Sequence, residues 1–249
     1  MAEVDKACCS LPAVTTHNYQ PKGTYIELAG LKTYVSGSTS STRGIVAVYD
    51  IFGFCPQTFQ GADRLAESVK GLLLMPDFFE GEPLPLSLYP PDTDEKKKTA
   101  MEFMAGKANI EKNVDKLVEA VKEAKGKYET VKSWGTYGLC WGGKISILAS
   151  GPDTDFKAAG TAHPGRLAVE DVQKCTVPFC CLFSKEDGTP ELVGQYTKAL
   201  EKDKKNYIEK YGSMHHGWMG ARAKLEDPEN AKEFERGYNQ LAKFFAEHL

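Results

Sequence analysis

Residues 133–150 read SWGTYGLCWGGKISILAS, and the fold turns on how this stretch is parsed. SWGTYG reads as a strand and GGKISILAS as a helix. Between them, Gly138-Leu139-Cys140-Trp141-Gly142 fits the pattern G-x-S-x-G with sulfur in place of oxygen. That pattern describes a sharp strand-to-helix turn that lifts a nucleophile above a sheet. The flanking glycines are needed because a side chain there would collide with the backbone or a neighbouring strand. The N–H of Trp141 would then point at an oxyanion, and the start of the helix favours thiolate over thiol.

Outward from this turn, short apolar runs alternate with helical ones. TYIEL (24–28) and KTYVS (32–36) flank an Ala-Gly-Leu turn and read as an edge hairpin. GIVAVYD (44–50) and GLLLMPD (71–77) read as buried strands. Between them, 56–69 places Phe59, Ala62, Leu65, Ala66 and Val69 at helical spacing. A proline- and aromatic-rich loop is expected at 78–92, followed by two helices, the second over 108–125. The charge run DEKKK (94–98) reads as a solvated helix face. Strands are expected at 156–163, 177–184 and 206–212, and helices at 190–202 and 229–247. Alternation of this kind predicts an α/β fold, a mostly parallel sheet with helices on both faces. With no repeat, no low-complexity tract and no Gly/Ser linker, the 249 residues read as a single domain, preceded by an N-terminal arm at 1–22.

Composition narrows the class. The chain is 41% hydrophobic and 26% charged, with a net charge of −3, and shows no basic stripe for nucleic acid or membrane surface. No apolar run is long enough to span a bilayer, and the first thirty residues carry no charged region followed by an apolar one. Seven cysteines, an odd number with adjacent pairs at Cys8/Cys9 and Cys180/Cys181, do not suit a disulfide framework. No C-x-x-C and no zinc-like spacing occurs. A soluble, cytoplasmic protein without metal or organic cofactor is expected. Cys180 and Cys181, inside an apolar run, read as small core hydrophobes.

In a parallel sheet, ligands sit at the carboxyl ends of the strands. A nucleophile elbow predicts its partners in the order nucleophile, acid, histidine. The base is expected in the loop after the last strand, which holds His215 and His216; His216, followed by a glycine and an aromatic, is preferred. The acid is expected after the strand before it, where Glu186 and Asp187 stand; Asp187 is preferred, to hold one tautomer of the imidazole. Asp-Gly-Thr-Pro (187–190) reads equally as a turn and helix start. Asp50 ends a strand and would either meet the thiol or cap a turn; the next residue, Ile51, would supply the second oxyanion N–H. Phe52, His163, Trp218 and Arg222 complete the candidate substrate pocket, Arg222 as a contact for an anionic substrate or as a surface ion pair.

YDIFGF (49–54), ADRLAE (62–67), MPDFFEG (75–81), YGLCWGGK (137–144), AHPG (162–165), SKEDGTP (184–190) and HHGWMGAR (215–222) together resemble the dienelactone hydrolase (carboxymethylenebutenolidase) family, specifically its fungal branch. The resemblance implies an α/β-hydrolase fold, Cys140 as nucleophile, His216 as base, Asp187 as orienting acid, and Ile51 and Trp141 as oxyanion donors. Bacterial lactone-cleaving members carry a glutamate where this chain has Asp50 and bind a substrate carboxylate with two arginines. Here DFFEG lacks the first arginine, and Arg222 matches the second only with an offset.

The resulting expectation is hydrolysis of a small activated ester or lactone through a thioester. Two other readings make different predictions. A ligand-binding protein on a hydrolase fold would be indifferent to loss of Cys140, and a thiol redox sensor would need a resolving cysteine, for which Cys55 is the candidate.

Overall fold

The computed structural model describes residues 19–249. Most of the N-terminal arm, with Cys8 and Cys9, lies outside the described residues. Eight short strands join one sheet: β1 (Thr24–Leu28), β2 (Leu31–Gly37), β3 (Arg43–Val48), β4 (Leu72–Pro76), β5 (Ser133–Leu139), β6 (Ala158–Ala162), β7 (Phe179–Phe183) and β8 (Tyr207–Lys210). Their order is β1-β2-β4-β3-β5-β6-β7-β8. β2 is antiparallel to both neighbours, and every pair from β4 to β8 is parallel. Continuously apolar strands such as LLLMP need cover on both faces.

Helices supply that cover: α1 (Pro56–Val69), α2 (Asp94–Ala105), α3 (Ile110–Lys127), α4 (Trp141–Leu148), α5 (Val169–Lys174), α6 (Pro190–Leu200) and α7 (Pro228–His248). α1 packs against α7 on one face, while α3, α4, α5 and α6 follow one another across the other. The sheet's period of two sorts adjacent residues between these faces. Cys180 joins the core with Leu241 of α7, and Cys181 joins a second cluster with Phe183 and Tyr196. Burial pushes both thiols well above the usual range, so they pack as hydrophobes. Among the described residues no helix is long and apolar enough to cross a membrane.

Helix starts follow local chemistry. Thr189 and Asp227 cap α6 and α7, each followed by proline at the first helical position, where no N–H is needed. The hairpin differs from expectation. Leu31 pairs with Leu28 inside the ladder, so the turn is Ala29-Gly30 alone. Both turn residues have positive φ (50° and 73°), the geometry that matches strand twist in a two-residue hairpin. β3 also stops before Asp50. The Asp50 carboxylate accepts the amide of Phe52 at 3.0 Å, closing a turn two residues on. β6 ends before His163, whose φ of 40° takes the chain out of the sheet. The six-residue α5 was not expected, because one and a half turns leave too little periodicity to read.

Candidate active site

At the end of β5 the chain turns sharply into α4, with Cys140 at the corner (φ 54°, ψ −112°). A β-carbon disfavours this conformation, which persists when surrounding bonds over-determine it. Here Cys140 N–H donates to Ala162 C=O at 3.2 Å, while the Cys140 carbonyl accepts from Gly143 N–H (3.1 Å) and Gly165 N–H (3.0 Å). The two glycines of the motif have a steric reason. A Cβ on Gly138 would lie 1.9 Å from the Gly142 carbonyl, and one on Gly142 would lie 2.3 Å from the Val48 oxygen. The second approach is what brings the start of α4 against the end of β3 and its loop. The Ile51 and Trp141 amides, on those two segments, donate to no acceptor among the described residues.

Cys140 is partly exposed, not sealed in the core. The sequence-predicted acid and base also meet. His216 Nδ1 lies 2.7 Å from Asp187 Oδ1, and the ring is close enough to the Cys140 side chain to be coupled to it electrostatically. Burial alone would lower the His216 pKa. The interactions with Asp187 and Cys140 outweigh it and raise the value to about 10. Asp187 is held in turn by Ser184: the backbone N–H donates to Oδ2 at 2.6 Å and the hydroxyl to Oδ1. Reading the sequence did not single out Ser184, although a serine three residues before a loop acid is a recognisable turn pattern. Thr189 caps α6 in the same segment, so Asp-Gly-Thr-Pro serves as a helix start and as the source of the acid. His215 faces elsewhere, with Nε2 3.0 Å from the Arg222 carbonyl oxygen. Glu186 accepts the His216 backbone amide at 3.2 Å and pairs loosely with Lys185 at 3.9 Å, away from the ring.

Asp50 is buried beneath this group. Its oxygens accept from Phe52 N–H (3.0 Å) and Ala221 N–H (2.8 Å). Burial raises its carboxyl to about 6 despite those amides and the nearby His216 and Arg222 charges. It ties the loop after β3 to the loop carrying His216. His163 is fully buried and stacks edge-on against His216, with ring centroids 5.2 Å apart. Neither of its ring nitrogens has a partner among the described residues. Burial, with His216 adding to it, holds the His163 ring far below the usual imidazole range. Gly165, two residues later, packs on Cys140; its missing Cβ would sit 3.4 Å from Cys140 Sγ.

The remaining pocket candidates divide. Phe52 is packed with Leu84 and Ala221, and its ring meets Tyr89 edge-on at 5.9 Å. The Arg222 guanidinium lies 4.6 Å above the Tyr89 ring and pairs with no carboxylate among the described residues. Trp218 corrects the expectation for it. Fully buried, it stacks on Tyr211 at 4.4 Å and fills the space left by Gly237 of α7, so it is a core residue. Cys55 starts α1 with its sulfur 3.5 Å from Thr58 Oγ1, and burial pushes its thiol up to about 12. Cys55 and Cys140 are both free thiols. Among the described residues no three His, Cys, Asp or Glu side chains converge as metal ligands would.

Comparison with known proteins agrees with this architecture. The sequence model of the dienelactone hydrolase family matches residues 31–249. An uncharacterized AIM2 family protein of Schizosaccharomyces pombe is 36% identical over 247 residues, covering 96% of this chain and 98% of the relative. A carboxymethylenebutenolidase homolog of Xenopus tropicalis is 28% identical over 172 residues, 68% of this chain and 66% of that protein. The crystal structure of a dienelactone hydrolase from Anabaena variabilis superposes with a TM-score of 0.63 at 14% identity, over 94% of this chain and 100% of the other, a likeness of fold.

Proposed function

The chain belongs to the dienelactone hydrolase family, and from that premise we propose that it hydrolyses small activated carboxylic esters or lactones through a thioester on Cys140. The observation that carries this reading is a single ring. His216 bonds a fully buried carboxylate at 2.7 Å on one side and is coupled electrostatically to the sulfur of a strained elbow on the other.

The Cys140 sulfur, its proton held by His216, attacks the carbonyl carbon. A C–S bond forms, and the carbonyl π pair moves onto oxygen. The Ile51 and Trp141 amides receive that oxyanion. His216 gives its proton to the departing alkoxide as the C–O bond breaks, leaving a thioester. Water then yields a proton to His216 and adds to the thioester carbon. Collapse expels the sulfur and releases the acid. Asp187 keeps the ring in one tautomer and stabilises its protonated form.

Thiolate is a strong nucleophile and also a good leaving group. The first adduct reverts unless the other group leaves easily, which favours enol esters, aryl esters, lactones and thioesters over amides. Arg222, stacked on Tyr89 and without a carboxylate partner among the described residues, would meet an anionic part of the substrate. No step requires a cofactor.

Hydrolysis of 4-nitrophenyl acetate by the parent and by Cys140→Ala tests the proposal. Loss of about a thousandfold or more is expected for a nucleophile of this kind. A variant with parental turnover would refute it and favour a ligand-binding role.

A further inference from the structure

A groove of about 590 Å³ opens between α2 and the loop after β6. Pro91, Ala100, Met101 and Met104 form its apolar lining, with Lys97 and Arg166 at its edges. Two features connect it to the nucleophile. Arg166 directly follows Gly165, the residue packed against Cys140 Sγ. On the other wall, Phe103 of α2 stacks on Phe79 at 5.0 Å, and Phe79 stacks on Trp141 at 4.8 Å. The helix is therefore pinned by aromatic contacts to the residue after the nucleophile, while its neighbouring face lines the groove.

The surroundings are unusually apolar for a surface. Among the described residues the exposed large hydrophobics are Tyr25, Leu86, Tyr89 and Met101; three of these four fall within 86–101, and Met101 lines the groove itself. Met101 is 70% exposed although two turns of charged helix precede it. Methionine is unbranched and adaptable, so a pair of them suits a flexible chain better than a rigid ring. The volume falls within the ~300–1,000 Å³ typical of small-molecule sites. Lys97 already pairs with Asp94 at 3.2 Å, and both cations can keep their charges in water while their stems extend the apolar wall.

Building on the proposed hydrolase reading, we infer that this groove receives the acyl chain of the substrate, so that esters of medium-length straight-chain acids are preferred over acetyl esters. The carbonyl would sit at Cys140 and the chain would run past Gly165 along Met104, Ala100 and Met101.

A series of 4-nitrophenyl esters from acetate to octanoate tests this, because the leaving group and its activation stay constant. A fully buried methylene stabilises by ~0.8 kcal/mol, about fourfold. In a groove open on one side, kcat/KM should rise two- to fourfold per methylene until the chain outgrows it. Ala100→Trp fills the groove and Met101→Glu charges its exposed rim; each should lower the octanoate-to-acetate ratio of kcat/KM at least tenfold, with thermal unfolding recorded as a check on folding. A parent that cleaves the acetate but gains nothing with length overturns the groove and leaves the hydrolase standing. If the parent cleaves no ester, the hydrolase reading falls. Calorimetric binding of octanoate to Cys140→Ala then decides the groove alone: binding abolished by Ala100→Trp supports it, and no binding overturns it. A concentration-dependent dimer dissolved by Met101→Glu would give the patch to a second copy of this chain and refute the acyl site.

Discussion

Replacing Asp187 by asparagine removes one charge and almost no volume. The Asp187 side chain is fully buried, so water cannot take over its role. In the parent, one oxygen accepts from the His216 ring and the Ser184 hydroxyl, and the other from the Ser184 amide. An asparagine oxygen can satisfy only one of these positions. Its NH2 group must then face either the Ser184 N–H or the ring nitrogen, and the second choice favours the wrong tautomer. Losing a hydrogen bond to a charged group costs about 1.5–3 kcal/mol, or roughly 10- to 150-fold. Loss of the tautomer raises the expected fall in kcat to about 10³–10⁴. The same change should be visible without turnover. His216 is held at about 10 by Asp187 and Cys140 against the effect of burial. Without Asp187 its ring should titrate lower, which an NMR pH titration of the imidazole reads directly. 4-Nitrophenyl acetate hydrolysis supplies the rate. Glu186→Gln is the control, since Glu186 meets the His216 backbone amide and the exposed Lys185 ammonium, and less than about threefold loss is expected from such exposed contacts. A folded Asp187→Asn enzyme that keeps a tenth of parental kcat, or whose His216 titration does not move, would refute the reasoning.

His216→Ala should lose about a thousandfold or more in kcat/KM and His215→Ala less than about tenfold, because His215 bonds only the Arg222 carbonyl; the reverse order in steady-state assays would show that the wrong neighbour had been chosen. Asp50 supplies a pH test. Its carboxyl is raised from 3.8 to about 6 by burial, so ionising it disfavours the folded state: no penalty exists below the unfolded value, and the full penalty is present above the folded one. Urea unfolding of the parent and Asp50→Asn should therefore show the parent's advantage shrinking by ~2.4 kcal/mol between pH 4 and 7.5. An advantage that grows with pH would mean the Ala221 and Phe52 amides dominate over burial.

Much of this molecule was legible because its causes lie close together in the chain. The elbow needs only a strand, two glycines around Cys140 and a helix start, all within residues 133–150. Helix α1 spans the same 56–69 expected from its apolar spacing, opening on Pro56 and closing at Lys70. The segment was harder to read where a contact from far away decided the outcome. Asp50 ends an apolar run, and nothing local shows that its second oxygen is taken by Ala221, 171 residues later. Trp218 follows a catalytic-looking His-Gly pair, yet the missing side chain of Gly237 opens a slot for it in the core.

By itself, then, the sequence determined the alternation of strands and helices, the elbow at Cys140 and the short roster of downstream acids and histidines, because backbone hydrogen bonds and steric limits act between near neighbours. Only the tertiary structure decided which members of that roster meet. His215 and His216 are adjacent and chemically identical, and the loop carries one ring to Asp187 and the other to the Arg222 carbonyl. That choice depends on how the loops after β7 and β8 pack against each other above one sheet, and the glycine and aromatic after His216 do not by themselves aim either ring.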